Sequence, residues 1–276
     1  MPELPEVETT RRGIEPHIQD QFISSMDIRQ AKLRWPIPAH LSKTAKGLAV
    51  LAVKRRAKYL LMEVGEANRL KGTIIIHLGM SGSLRLLQPP VAKPEKHEHF
   101  DIYFNNGQVL RYTDPRKFGA CLWQEANETL SIFKHLAPEP LTDEFNFDYL
   151  YKKSRKRTCA IKTFIMDQKN VVGVGNIYAS ESLFISGINP KKAAGKVTKV
   201  QYQALLNAIK TTLKKAIKEG GTTLKDFVGS DGKPGYFAQQ LHVYGRAGQE
   251  CDLCQAPIKQ MTQAQRSTFY CPACQK

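Results

Sequence analysis

Several things are scarce in this chain, and each scarcity narrows its function. No run of 18 or so apolar residues occurs, which excludes a membrane-spanning helix. The opening MPELPEVETTRRGIEP is acidic and lacks the apolar stretch of a signal peptide, so a soluble, cytosolic protein is expected. Repeats and low-complexity tracts are missing too. With 42% apolar and 24% charged residues over 276 positions, the chain is ordinary globular protein, enough for about two domains. Acidic residues are short: 25 Asp and Glu stand against 41 Lys and Arg, a formal net charge of +16. Solubility needs far less, so a polyanionic partner is implied, either nucleic acid or an acidic membrane surface.

The shortage is local. Residues 1–149 hold 20 basic and 18 acidic residues, a net of +2, whereas residues 150–276 hold 21 and 7, a net of +14. One nearly neutral domain is therefore joined to one polyanion-binding domain. The neutral half begins with a helical stretch over 5–18, with Pro5 near its start and Glu6 and Glu8 in its first turn. Short apolar or alternating runs follow at 49–53, 59–64, 73–78, 83–87, 99–104, 109–113 and 120–124, the pattern of a sandwich or barrel-like sheet. Asn106-Gly107 is the dipeptide preferred in a two-residue hairpin. Beyond the prolines at 138 and 140 the helical period dominates. A long amphipathic helix is expected over 198–219, capped by Thr198, with Leu205, Leu206, Ile209, Leu213 and Ile217 as its stripe. Its opposite face carries Lys210, Lys214, Lys215 and Lys218, either solvated or facing phosphate.

Three groups of residues can carry chemistry. Cys251, Cys254, Cys271 and Cys274 have the spacing C-x2-C-x16-C-x2-C. Two cysteine turns of this kind complete a tetrahedral thiolate site for Zn²⁺; two disulfides are the other reading and do not suit a reducing compartment. Four thiolates leave no open position, so the ion is structural. Cys121 and Cys159 fall outside the pattern and read as buried free thiols. The run Val171-Val172-Gly173-Val174-Gly175-Asn176-Ile177-Tyr178 fits neither a dinucleotide fingerprint nor a P-loop. It is either an ordinary turn or a helix start, capped by Asn176, whose free N–H groups suit a phosphate. Third, Pro2 follows Met1, so removal of the initiator exposes a secondary amine with a pKa near ~8, partly unprotonated at neutral pH. Glu3 beside it can donate and accept protons. Many chains begin Met-Pro by chance, and this pair alone does not make an enzyme.

Together, Pro2-Glu3-Leu4-Pro5-Glu6-Val7-Glu8, Arg56-Ala57-Lys58-Tyr59-Leu60, the glycine turn with its helix and the four-cysteine finger resemble bacterial formamidopyrimidine-DNA glycosylases. His77-Leu78-Gly79-Met80-Ser81-Gly82, Tyr112-Thr113-Asp114-Pro115-Arg116-Lys117-Phe118-Gly119 and Gly232-Lys233-Pro234-Gly235-Tyr236-Phe237 match as well. The resemblance implies an α+β fold. Residues 1–134 would be a catalytic β-sandwich with a flanking N-terminal helix, 135–145 a linker, 146–237 a helix–two-turn–helix DNA-binding domain and 238–276 a β-hairpin zinc finger with one structural Zn²⁺.

It further implies excision of oxidised purines, 8-oxoguanine and formamidopyrimidines, from duplex DNA, followed by β,δ-elimination at the resulting site. Pro2, Glu3, Lys58 and Arg266 would be catalytic, with Pro2 forming a Schiff base to the sugar. His97, Arg116, Lys162, Asn176 and Tyr244 would bind DNA. Met80, Arg116 and Phe118 would fill the void left by the extruded nucleotide, and a loop over 222–236, with Thr222, Thr223 and Tyr236, would meet the lesion. Plainer roles stand beside these: Met80 and Phe118 as core, Arg116 as a turn cation, Lys58 as a snorkelling surface lysine. The partner would be lesion-containing or abasic double-stranded DNA, bound by a monomer in the bacterial cytoplasm, associated with the nucleoid, with no membrane and no nucleotide cofactor involved. Two other functions remain open: a non-catalytic zinc-finger DNA binder, and the sibling glycosylase class that removes oxidised pyrimidines.

Overall fold

The computed structural model describes residues 2–222 and 240–276, which form two compact units: 2–134 with 219–222, and 135–218 with 240–276. Thr223 and Tyr236, expected to meet the lesion, lie outside the described residues.

In the first unit, α1 (Leu4–Ile18) buries Leu4, Val7, Ile14 and Ile18 along one face. It is followed by β1 (Ile23–Ile28), the short α2 (Leu41–Ala45), β2 (Ala49–Arg56), β3 (Tyr59–Glu66), β4 (Arg69–His77), β5 (Ser83–Leu87), β6 (Glu98–Phe104), β7 (Val109–Thr113) and β8 (Ala120–Glu125). The strands make two four-stranded antiparallel sheets, ordered β1-β6-β7-β5 and β2-β3-β4-β8. One apolar core draws on both, including Val50, Leu60 and Ile74 from one sheet and Phe100, Ile102 and Leu110 from the other. The fold is thus the expected sandwich. β1 escapes the periodicity reading because a bulge between Ile23 and Ser25 puts its buried residues, Ile23 and Met26, three apart.

The β6–β7 connection differs from expectation. Phe104 pairs with Gln108, and Gly107 N–H returns to Phe104 O at 3.0 Å with φ +82°. Asn105 and Asn106 are the turn and Gly107 is the left-handed bulge residue of a three-residue loop, not half of a two-residue turn.

The second unit contains α3 (Phe147–Ser154), α4 (Ile161–Met166), α5 (Asn176–Ile185), α6 (Lys199–Lys218) and the hairpin β9 (Lys259–Gln263) with β10 (Arg266–Tyr270). α5 is buried almost all round and packs against α4, α6 and β10. α6 starts as expected: Thr198 Oγ1 accepts the Gln201 N–H and the Gln201 side chain accepts the Thr198 N–H, both at 3.2 Å. Among the described residues no helix is long and apolar enough to cross a membrane. Cys121 is fully buried, and burial pushes its thiol up to about 12; Cys159 is exposed, contrary to the expectation of a buried thiol. It sits in the polar loop before α4, which offers no apolar cover.

Candidate active site and nucleic-acid interface

Pro2 and Glu3 are buried at the start of α1. Glu3 is the N-cap, and its backbone N–H donates to Glu6 Oε2 at 2.8 Å. Oε1 of the same carboxylate accepts the backbone N–H of Thr222, also at 2.8 Å. Glu6 therefore ties the first residues of the chain to the last described residue before 223, and both ends are buried.

Contacts along α1 show which end of β2 it approaches. Arg11 donates to Val53 O at 3.1 Å, and Glu8 pairs with Arg55 at 3.0 Å. Moving back along the helix therefore moves forward along the strand, and the N-terminus of α1 runs toward the turn after Arg56. That turn holds Lys58. Arg55 braces it by donating to Ala57 O at 2.9 Å, and Ala57 adopts φ +53°. Lys58 is 6% exposed, which overturns the snorkelling reading. The geometry brings the proposed nucleophile, its acid and a buried lysine to one end of the α1–β2 layer.

His77 joins this end to a second group. Burial first, then the positive charges of Lys58 and Arg34, lower its pKa to about 4, so the ring is neutral. Its Nδ1 accepts the Gly79 N–H at 3.0 Å. Gly79 has φ +66°, and a side chain there would strike the backbone of Phe118 and Gly119. The turn carrying Met80 thus lies against the loop carrying Arg116 and Phe118. Met80 is half-buried and Arg116 exposed. Phe118 is 46% exposed, with the Arg116 guanidinium 5.0 Å from its ring centre, and is not a core residue. His97, at φ +78°, accepts the Asp114 N–H at 3.0 Å and stands beside the same loop.

In the second unit a lysine and an asparagine lock the hairpin to α5. Lys162 is 1% exposed, and its ammonium donates to Asn176 Oδ1 (2.6 Å), Thr268 Oγ1 (2.7 Å) and Ser267 O (3.1 Å). Asn176 Nδ2 donates to Ser267 O at 2.9 Å. Asn176 is the first helical residue, and Gly175 in extended conformation is the N-cap. The expected asparagine cap is therefore corrected: the side chain faces β10 instead of its own helix. Arg266 is exposed at the head of β10, following Ala264 and Gln265, which take φ +46° and +60° in a two-residue turn. A cavity of about 220 Å³ lies beside it, lined by Lys162, Thr163, Met166, Asp167, Gln263 and Arg266.

Glu181 was not legible in the sequence as a functional residue. Buried in the middle of α5, it accepts the backbone N–H groups of His242, Val243 and Tyr244 at 2.8, 3.0 and 2.8 Å. It fixes the backbone at Tyr244, whose ring packs edge-on to Phe269. That it is the only charged residue of a helix buried almost all round is the one signal that could have found it.

The four cysteine Sγ atoms lie within 4.8 Å of one another, with Cys251–Cys274 at 3.9 Å and Cys254–Cys271 at 3.5 Å. A tetrahedron of thiolates around Zn²⁺ has edges of ~3.8 Å, and a disulfide needs ~2.05 Å, so the cluster fits the metal and not the bridges. Cys271 N–H is held by Gln275 Oε1 at 2.8 Å, which orients a ligand. Phe184, Val243, Ile258 and Phe269 pack around the cluster. The site holds one structural zinc.

Family models match three stretches of the chain: the formamidopyrimidine-DNA glycosylase N-terminal domain over 1–121, the H2TH domain of the same enzymes over 136–228, and the zinc finger found in FPG and IleRS over 248–276. Formamidopyrimidine-DNA glycosylases of Pectobacterium carotovorum and Escherichia coli are each 55% identical over 276 residues, covering all of both chains. Among solved structures, Lactococcus lactis Fpg with abasic-site DNA has a TM-score of 0.90 at 35% identity, covering 99% of each chain. Thermus thermophilus MutM has a TM-score of 0.89 at 32% identity, covering 99% of this chain and 98% of its own. The sandwich, the helical layer and the thiolate cluster are thus shared along the whole length, and the chain belongs to the formamidopyrimidine-DNA glycosylase family.

Proposed function

We propose that the protein is a bifunctional DNA glycosylase and abasic-site lyase that removes oxidised purines from duplex DNA. The observation that carries this reading is the arrival of Pro2, Glu3 and the buried Lys58 at one end of the α1–β2 layer. With Met1 removed, the Pro2 nitrogen attacks the anomeric carbon of the damaged nucleotide. The base leaves, Glu3 protonates the ring oxygen as the sugar opens, and an iminium joins Pro2 to the sugar. The iminium is an electron sink, so loss of a proton from the adjacent carbon expels the 3′ phosphate. A second elimination expels the 5′ phosphate, leaving a one-nucleotide gap. Lys58 and Arg266 stabilise the phosphates that leave, because a cation offsets charge that grows in the transition state.

The target atom is inside the stack, so extrusion precedes chemistry at a cost of a few kcal/mol. Met80, Arg116 and Phe118 fill the gap, Phe118 as the wedge and Arg116 toward the unpaired cytosine. His97, Asn176 and Tyr244 bind the backbone. Lys162 acts there through Asn176, whose amide it orients. The segment 222–236 meets the extruded base. In functional terms 1–134 is the catalytic domain, 135–145 a linker, 146–237 the DNA grip and 238–276 the finger, and the protein works as a nucleoid-associated monomer.

The deciding experiment is borohydride reduction during incubation with a duplex carrying 8-oxoguanine opposite cytosine, followed by mapping of the linked residue. A covalent adduct on Pro2 is expected; its absence would reduce the protein to a binding module. Faster excision of thymine glycol than of 8-oxoguanine would transfer it to the pyrimidine class.

A further inference from the structure

Asp114 is completely buried, yet every polar group it carries is engaged with a segment that bears a proposed DNA-contacting residue. Its carboxylate Oδ1 accepts the Ser81 hydroxyl at 2.7 Å and the Arg116 N–H at 3.2 Å. Oδ2 accepts the Gly119 N–H at 2.8 Å and the Tyr112 hydroxyl at 3.2 Å. Its backbone N–H donates to His97 O at 3.0 Å, and its carbonyl accepts the His99 Nε2–H at 2.7 Å. Ser81 Oγ also accepts the Arg116 N–H at 3.2 Å, which closes a small ring between the two loops. Ser81 follows Met80, and Arg116 and Gly119 lie on either side of Phe118. The void-filling residues therefore stand on two loops with one buried carboxylate between them.

Resting on the proposed function, we infer that Asp114, with Ser81, is a positioning residue for nucleotide extrusion: it holds Met80, Arg116 and Phe118 as one preassembled wedge. The reason is geometric. A wedge that enters a base stack must be rigid relative to its neighbours, or its side chains fold back on the surface and the stack recloses. A buried carboxylate accepting four donors fixes backbone whose own side chains, Arg116 and Phe118, are exposed and do not anchor it in the core. Asp114 touches neither sugar nor phosphate, so its effect falls on opening the duplex and not on the bond-breaking steps.

The test separates those steps. A duplex carries 8-oxoguanine opposite cytosine with 2-aminopurine next to the lesion, whose fluorescence rises on unstacking. A second duplex carries a preformed abasic site, which has no base to unstack. Ser81→Ala and Asp114→Asn, the latter turning one acceptor oxygen into a donor that faces another donor, are expected to slow the fluorescence step by about tenfold or more. Ser81→Thr, which keeps the hydroxyl, restores it. Cleavage of the abasic duplex at saturating enzyme falls by no more than about threefold. The proposal is overturned if the fluorescence step keeps its rate in both variants. It is equally overturned if lesion excision and abasic cleavage fall by one common factor, which is the mark of a generally weakened fold. If the unaltered protein is not trapped by borohydride, the proposed function fails instead, whatever the variants do.

Discussion

The two units hold similar numbers of cations and use them differently. In the first, one set of arginines is turned inward onto carboxylates. Arg111 is almost fully buried between Asp101 and Glu98, at 2.8 and 3.0 Å, while Arg29 and Arg85 complete the same cluster. Arg55 and Arg11 close on Glu8, one helical turn from Glu3 and Leu4. In the second unit acids are few, and Lys214, Lys215, Lys218 and Arg266 face solvent. Charge that positions must be neutralised locally, because an unpaired buried ion is costly. Charge that grips a polyanion must stay open, because its affinity comes from released counterions. Under the proposed function the first unit carries the reaction and the second the grip, and the following measurements challenge that division.

The largest effect is expected at the neutral unit's first residue. A form that retains Met1 has an amide nitrogen at Pro2 and should lose borohydride trapping and cleavage to background, while duplex affinity stays within about threefold. Normal cutting by that form would refute the terminal-amine chemistry. Next, removing zinc by chelation, or Cys274→Ser, should weaken lesion-duplex binding by about a hundredfold or more, since the finger folds around its ion. Circular dichroism of the sandwich should change little. A smaller effect distinguishes the cations: Arg266→Gln should reduce the slope of log affinity against log salt by ~0.9, the contribution of one phosphate. Arg85→Gln, whose partner is Glu98, should leave the slope unaltered.

The smallest effect concerns pH. His77 has its pKa lowered to about 4 by burial and by Lys58 and Arg34, whereas in the unfolded chain it titrates near ~6.5. Between those values the unfolded state binds the extra proton, so stability falls as pH drops from about 6.5 to about 4. Protonation of Nδ1 also breaks its bond to Gly79. Thermal melting across this window should be flatter in His77→Gln; an identical pH profile would remove His77 from the account.

Much of this was legible in the sequence, where local rules and tertiary structure agree. The seven strands read from alternation are present because their apolar residues meet a shared core, and the cysteine spacing alone located the metal. What escaped was non-local. Asp114 and Glu181 look like surface acids until their donors arrive from far along the chain. Asn176 stands at a helix start, as a cap would, but Lys162 and Ser267 compete for its side chain. Turn chemistry misled in both directions: Asn106-Gly107 sits in a three-residue loop, whereas the tight two-residue turn falls on Ala264-Gln265, which carry no turn signature.

The Glu6 carboxylate joins the Glu3 and Thr222 N–H groups, and the latter contact spans 216 positions. At synthesis rates of 5–20 residues per second, roughly 10–40 s separate the emergence of these two ends. The N-terminus leaves the ribosome first, but the Glu6 clamp behind it is completed only after α3 to α6 have been made. A nascent chain, or one truncated before residue 222, therefore carries its first helix without this contact, and the setting that the proposed chemistry at Pro2 relies on is complete only when about four-fifths of the chain has been made.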